Sequence, residues 1–83
     1  MVNHSEAENF DPVQVIYKTA ALWRSSFVAR TQISEFTGGL YSPQYMSNLD
    51  GKGLGIKNSF KIGRKICYPV VSVVDWLIGK LSE

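Results

Sequence analysis

The chain has one cysteine and one histidine in 83 residues, and each shortage excludes some chemistry. Cys67 alone cannot close an internal disulfide, so nothing points to an oxidising compartment. Cys67 and His4 lie far apart and make neither a metal site nor a nucleophile pair. Glu35 and Asp50 are isolated carboxylates without a partner at catalytic spacing. The glycines from Gly51 to Gly55 lack the strand-to-helix setting of a phosphate-cradling loop. No apolar run approaches the roughly 20 residues that span a membrane. The N-terminus has no charged-then-apolar signal pattern, so a cytoplasmic protein is the expectation. These absences lead us to expect no enzyme, no metal, no cofactor and no membrane partner.

What is present argues for a folded chain. Apolar residues make up 45% of it and aromatics 12%, too many for a disordered polymer. The length fits one small domain, expected over 11–83, behind a polar, acidic and disordered segment 1–10. The formal net charge of +2 says little, but its distribution says more. The first eleven residues hold Glu6, Glu8 and Asp11 and no Lys or Arg. Lys52, Lys57, Lys61, Arg64 and Lys65 then crowd into fourteen positions. Such clustering creates a local electrostatic footprint.

Asp11 can cap a helix whose first position is Pro12, where a missing N–H costs nothing. Val13, Ile16, Tyr17 and Ala20 recur at helical spacing, predicting a first helix from Pro12 to about Arg24. Val15 and Leu22, seven apart on nearly the opposite side, offer a self-association stripe; the alternative is two ordinary exposed apolar residues. Phe27-Val28-Ala29 reads as an extended connector. Thr31 can cap a second helix, Gln32 to Thr37, with Ile33 and Phe36 inward. Gly38-Gly39 should end it, since glycine enters left-handed conformations cheaply. Ser42 caps a third helix with Pro43 at its first position, and Gly51 is the expected stop. Met46 and Leu49 should face the core. The order helix, glycine turn, helix is a helix-turn-helix pattern.

A hairpin follows. A three-residue loop, Gly63-Arg64-Lys65, would pair Ile62 with Ile66 and Phe60 with Tyr68 on one face, leaving Lys61 and Cys67 on the other. A two-residue loop would set Lys61 against Ile66 and mix the faces, so the longer loop is expected. Pro69 opens the last helix, on which Val70, Val73, Val74, Leu77, Ile78 and Leu81 form a continuous apolar stripe. Trp23 and Trp76 read as aromatics at the core's edge, and Cys67 as a packed or half-buried strand residue.

The order helix-turn-helix, Gly-Lys-Gly link, Lys-Ile-Gly-Arg-Lys hairpin, Tyr68, then Val74-Asp75-Trp76-Leu77 resembles the excisionase and AlpA-type regulators. These are small DNA-binding proteins related to the DNA-binding domain of MerR regulators. The resemblance covers roughly Val28 to Leu81. It implies a fold that is mainly α with a small β-hairpin, a winged helix-turn-helix with an extra N-terminal helix. By resemblance, the helix at Ser42 to Asn48 would enter the major groove and the wing at Lys61 to Lys65 would reach backbone or minor groove. The long turn Gly38-Gly39-Leu40-Tyr41 and the helix from Pro12 depart from the family's pattern.

The chemistry of those residues fits duplex DNA. Affinity comes largely from cations that displace condensed counterions, a role open to Lys57, Lys61, Arg64 and Lys65. Arg64 at the tip is the foremost candidate, because a guanidinium suits phosphate forks and narrow minor grooves. The bland alternative is a solvated edge ribbon whose lysines discourage aggregation. Gln44 and Asn48, one turn apart, carry amides that pair with adenine; Tyr45, Ser47 and the capping Ser42 can meet bases or phosphates. An ordinary polar helix face is the alternative there. The expected function is sequence-specific duplex DNA binding, as a phage or mobile-element excisionase-like recombination directionality factor or a small transcriptional regulator. Expected partners are duplex DNA, a second copy in a homodimer or cooperative array, and an integrase. The alternatives are a phage small-terminase-like packaging recognition subunit and a protein-interaction adaptor without DNA contact.

Overall fold

The computed structural model describes residues 11–83, so the acidic segment 1–10 lies outside the described residues. Their order is helix α1 (Pro12–Leu22), strand β1 (Phe27–Ala29), a 3-10 turn (Arg30–Gln32), α2 (Ile33–Phe36), α3 (Pro43–Gly51), β2 (Phe60–Ile62), β3 (Lys65–Pro69) and α4 (Val70–Lys80). Among the described residues, four helices accompany one antiparallel three-stranded sheet, ordered β1-β3-β2. Mainly α with a small hairpin is therefore the architecture, with one strand more than the sequence predicted.

That strand is Phe27–Ala29, which is no mere connector. It pairs along β3, Phe27 opposite Pro69, Val28 opposite Tyr68 and Ala29 opposite Cys67. Paired residues share a face, so Val28 and Tyr68, both 0% exposed, turn toward the helices. They join Ile33, Phe36, Met46, Ile56, Val73 and Leu77 in one core. Cys67 lies on the opposite face and is nonetheless buried. There Phe27 and Phe60 meet edge to face, 6.0 Å between centroids.

The hairpin register differs from the one expected. Phe60 opposes Cys67, Lys61 opposes Ile66 and Ile62 opposes Lys65, which leaves a two-residue loop, Gly63-Arg64. Gly63 has φ +62° and Arg64 is not in the left-handed region, the sign pattern of a type II′ turn. Mixing of faces does not forbid this because all three residues of β2 are exposed. With no buried face to obey, the turn sets the register.

The helix ends follow local chemistry. Asp11 Oδ1 accepts from the Val13 amide at 3.0 Å, capping α1. That helix stops at Leu22 rather than Arg24 and contains no fully buried residue. Ile16, Ala20 and Trp23 lean on the core, whereas Tyr17, expected inward, is 49% exposed. The Trp23 indole instead bonds the Phe27 carbonyl at 2.9 Å and sits edge-on to Phe36. The chain enters α2 through the 3-10 turn, whose cap is Ala29 and not Thr31: the Ala29 amide donates to Gln32 Oε1. Gly38 and Gly39 (φ +67° and +88°) close α2 as foreseen, through Gly39 N–H to Ser34 O and Gly38 N–H to Glu35 O.

The closure of α3 has the same form one residue pair later than expected. Gly51 stays helical, Lys52 is the C-cap and Gly53 takes the positive φ. Leu54 N–H reaches Leu49 O at 2.9 Å and Gly53 N–H reaches Asp50 O at 3.1 Å. On α4 the stripe holds through Val73, Val74 and Leu77, which are buried; Leu81 at its end is 48% exposed. No helix among the described residues is long and apolar enough to cross a membrane.

Candidate nucleic-acid interface

The exposed side of α3 begins with its cap. Ser42 Oγ accepts from the Tyr45 amide at 3.1 Å and Pro43 fills the first helical position. Met46 is fully buried and Leu49 packs against the core, so the helix is fixed by one side. Ser42, Gln44, Tyr45, Ser47 and Asn48 are all exposed. None of them is charged. Gln44 Nε2 donates to Asn48 Oδ1 at 3.2 Å, joining the two amides along one edge of the helix. That bond leaves each amide with further donors or acceptors facing outward.

Tyr45 is held by a neighbour outside the expected site residues. Its ring stacks on Tyr41 at 5.4 Å and 17°, and Tyr41 in turn meets Trp76 edge-on at 4.7 Å. Lys80 Nζ closes the series 4.9 Å from the Trp76 ring centre. The long turn after α2 thus delivers an aromatic floor beneath Tyr45. Tyr41 and Tyr45 sit four apart with a helix cap between them, a spacing that hints at the stack.

The cations lie on the elements that follow α3 in the chain. Lys52 and Lys57 flank the loop after α3; Lys61, Arg64 and Lys65 ride the hairpin, and all five are exposed. The ion pairs among the described residues are Arg24–Glu35, Arg30–Asp50 and Lys80–Glu83, so none of the five is neutralised there. Unpaired exposed cations on a narrow ribbon keep their full attraction for a polyanion.

Neither Glu35 nor Asp50 is isolated. Glu35 pairs with Arg24 at 3.3 Å on the surface, where such pairs contribute little. Asp50 Oδ2 accepts from Arg30 Nη2 at 2.5 Å and from the Tyr68 hydroxyl at 2.7 Å, while Arg30 Nε donates to that hydroxyl at 3.0 Å. The three residues come from α3, the 3-10 turn and β3. Burial pushes the Tyr68 phenol up to about 12, with Asp50 adding to the rise and Arg30 opposing it. For Arg30 burial works against the charge, but its bonds to Tyr68 and Asp50 outweigh that and raise it. Asp50 Oδ1 lies so close to Gly55 that a Cβ there would come within 1.8 Å. No local pattern announces this cluster, since Arg30 and Tyr68 stand 20 and 18 positions from Asp50.

Val15 and Leu22 are exposed at 49% and 78%. Val15 lines an apolar groove of about 630 Å³ between α1, the turn after α2 and the end of α4, and Leu22 is not among its lining residues. The two therefore do not share one depression. The described residues contain no cluster of three or more metal-ligating side chains. Comparison of the chain with family models, curated proteins and solved structures found no match.

Proposed function

We propose that this is a non-enzymatic, winged helix-turn-helix protein of the excisionase and AlpA-like kind, binding specific duplex DNA. The observation that carries this reading is a succession of unlike surfaces along the chain. A well-anchored helix presents an uncharged row of amide and hydroxyl groups, and the next elements in the chain form an exposed ribbon of cations without ion-pair partners among the described residues. Neutral hydrogen-bonding groups on a helix suit base edges in the major groove, where each base pair shows its own donor and acceptor pattern. Cations on a slender hairpin suit phosphates or the minor groove. In this reading Gln44 and Asn48 read bases, Tyr45 and Ser47 flank them, and Ser42 offers the helix start to a phosphate. Lys57, Lys61, Arg64 and Lys65 hold the backbone. A recombination directionality or small regulatory role follows, with several copies on adjacent sites, because one module this small contacts few base pairs.

The test is a mobility-shift titration at two salt concentrations, using duplexes selected from a random pool. Binding should weaken steeply with salt, and Arg64→Ala or Lys61→Ala should each reduce the logarithmic salt slope by about 1. Gln44→Ala and Asn48→Ala should each cost about 1–3 kcal/mol on the selected site and far less on random duplex. Equal losses on both duplexes would remove them as readers. A protein that shifts no duplex at low salt is an adaptor, and the DNA reading is then wrong.

A further inference from the structure

Asp50 occupies the last turn of α3, where the helix dipole disfavours a carboxylate. It is held there from three directions. Arg30 and the Tyr68 hydroxyl both bond Oδ2, and the bare backbone of Gly55 leaves room for Oδ1. The Arg30 and Asp50 side chains are only 23% and 20% exposed, so the cost of desolvating the pair offsets much of its Coulombic gain. The Tyr68 ring is fully buried and packs with or without its hydroxyl. The cluster's distinctive property is therefore geometric. It joins the exit of α3 to the strand that, three residues earlier, leaves the hairpin tip at Lys65.

We infer that Asp50, Tyr68 and Arg30 form a latch that sets the placement of the α3 reading face relative to the cationic ribbon, and through it DNA sequence discrimination. Asp50 and Tyr68 are positioning residues and touch no base. The inference rests on the DNA reading above. A duplex engages helix and ribbon together, and a fixed offset between them lets only sites of matching groove geometry satisfy both. Loosening the latch leaves every phosphate-binding cation in place, so nonspecific attraction survives while selectivity falls.

Tyr68→Phe and Asp50→Asn are the variants, compared with the unaltered protein on a selected duplex and on random duplex. The ratio of the two affinities should fall roughly tenfold, about the cost of one imperfect base contact, with random-duplex affinity and salt slope unchanged in Tyr68→Phe, which alters no charge. An unchanged ratio, or equal losses on both duplexes, overturns the latch while leaving DNA binding intact. Should Asp50→Asn fail to fold, Tyr68→Phe carries the test, because the ring stays in the core. A second measurement needs no DNA. Nitroxide labels on Ser47→Cys and Arg64→Cys, in a Cys67→Ala background, should give a distance distribution that broadens when Tyr68→Phe is added. An unaltered width overturns the latch, and a protein that shifts no duplex but shows the broadening loses the DNA reading alone.

Discussion

Helix α3 and the outer part of the hairpin, strand β2 with the tip Gly63 to Lys65, are near neighbours in sequence and opposites in support. The helix drives Met46 fully into the core, is capped by Ser42 and closed by Gly53, and carries no cation before Lys52. The ribbon's first strand has no buried residue, and its tip carries Arg64 and Lys65 in the open. Discrimination between similar ligands requires groups held in place, because a mobile donor satisfies a wrong acceptor as readily as a right one. Attraction to a polyanion needs only charge within a Debye length, about 10 Å at moderate salt. The difference in anchoring thus parallels the division of labour proposed for the two surfaces.

The largest expected effect tests the anchoring directly. Met46→Ala should cost about 2–5 kcal/mol of unfolding free energy, while Ile62→Ala on the ribbon should stay within about 0.5 kcal/mol. Denaturant melts of the two variants measure both. Similar losses would erase the contrast.

A somewhat smaller effect lies in alkaline solution. The Tyr68 phenol keeps its proton in the fold up to about 12, whereas in the unfolded chain it ionises near 10. Between those pH values only the unfolded state releases this proton, so stability present below pH 10 is lost as pH climbs toward 12. The loss should approach about 2–3 kcal/mol, and Tyr68→Phe should lack that part of it. Thermal melts at intervals from pH 9 to 12 would show it, and parallel curves for the two proteins would count against the buried network.

The smallest effect sharpens the account of the ribbon. A Cβ at Gly63 would meet nothing within 4 Å, but the backbone there has φ +62°. Gly63→Ala should therefore cost only about 1 kcal/mol, all of it conformational. Faster amide exchange confined to the hairpin is the expected sign, and a global loss of protection would mean that the ribbon supports the core.

What could be read from the sequence divides along the same line. The start of α3 was legible because Ser42 and Pro43 act on their own neighbours. The closure of α2 was legible because Gly38-Gly39 is a local device. The inward faces of α3 and α4 followed from spacing alone. The hairpin register was not legible, because matching of faces selects a register only where one face is buried, and β2 has none. Strand β1 was missed because its partner lies some forty residues on, with no turn to announce it. Asp50's partners were invisible for the same reason. Local chemistry is written in adjacent letters, and long-range pairing is not.

The contact between Gly55 and Asp50 has an evolutionary corollary. Any side chain at position 55 would displace the carboxylate at position 50, so the two sites are expected to drift together or not at all. A descendant of this gene bearing alanine or serine at 55 should also have exchanged its aspartate. Finding the bulkier residue beside an intact Asp50 would mark a lineage whose loop has rerouted.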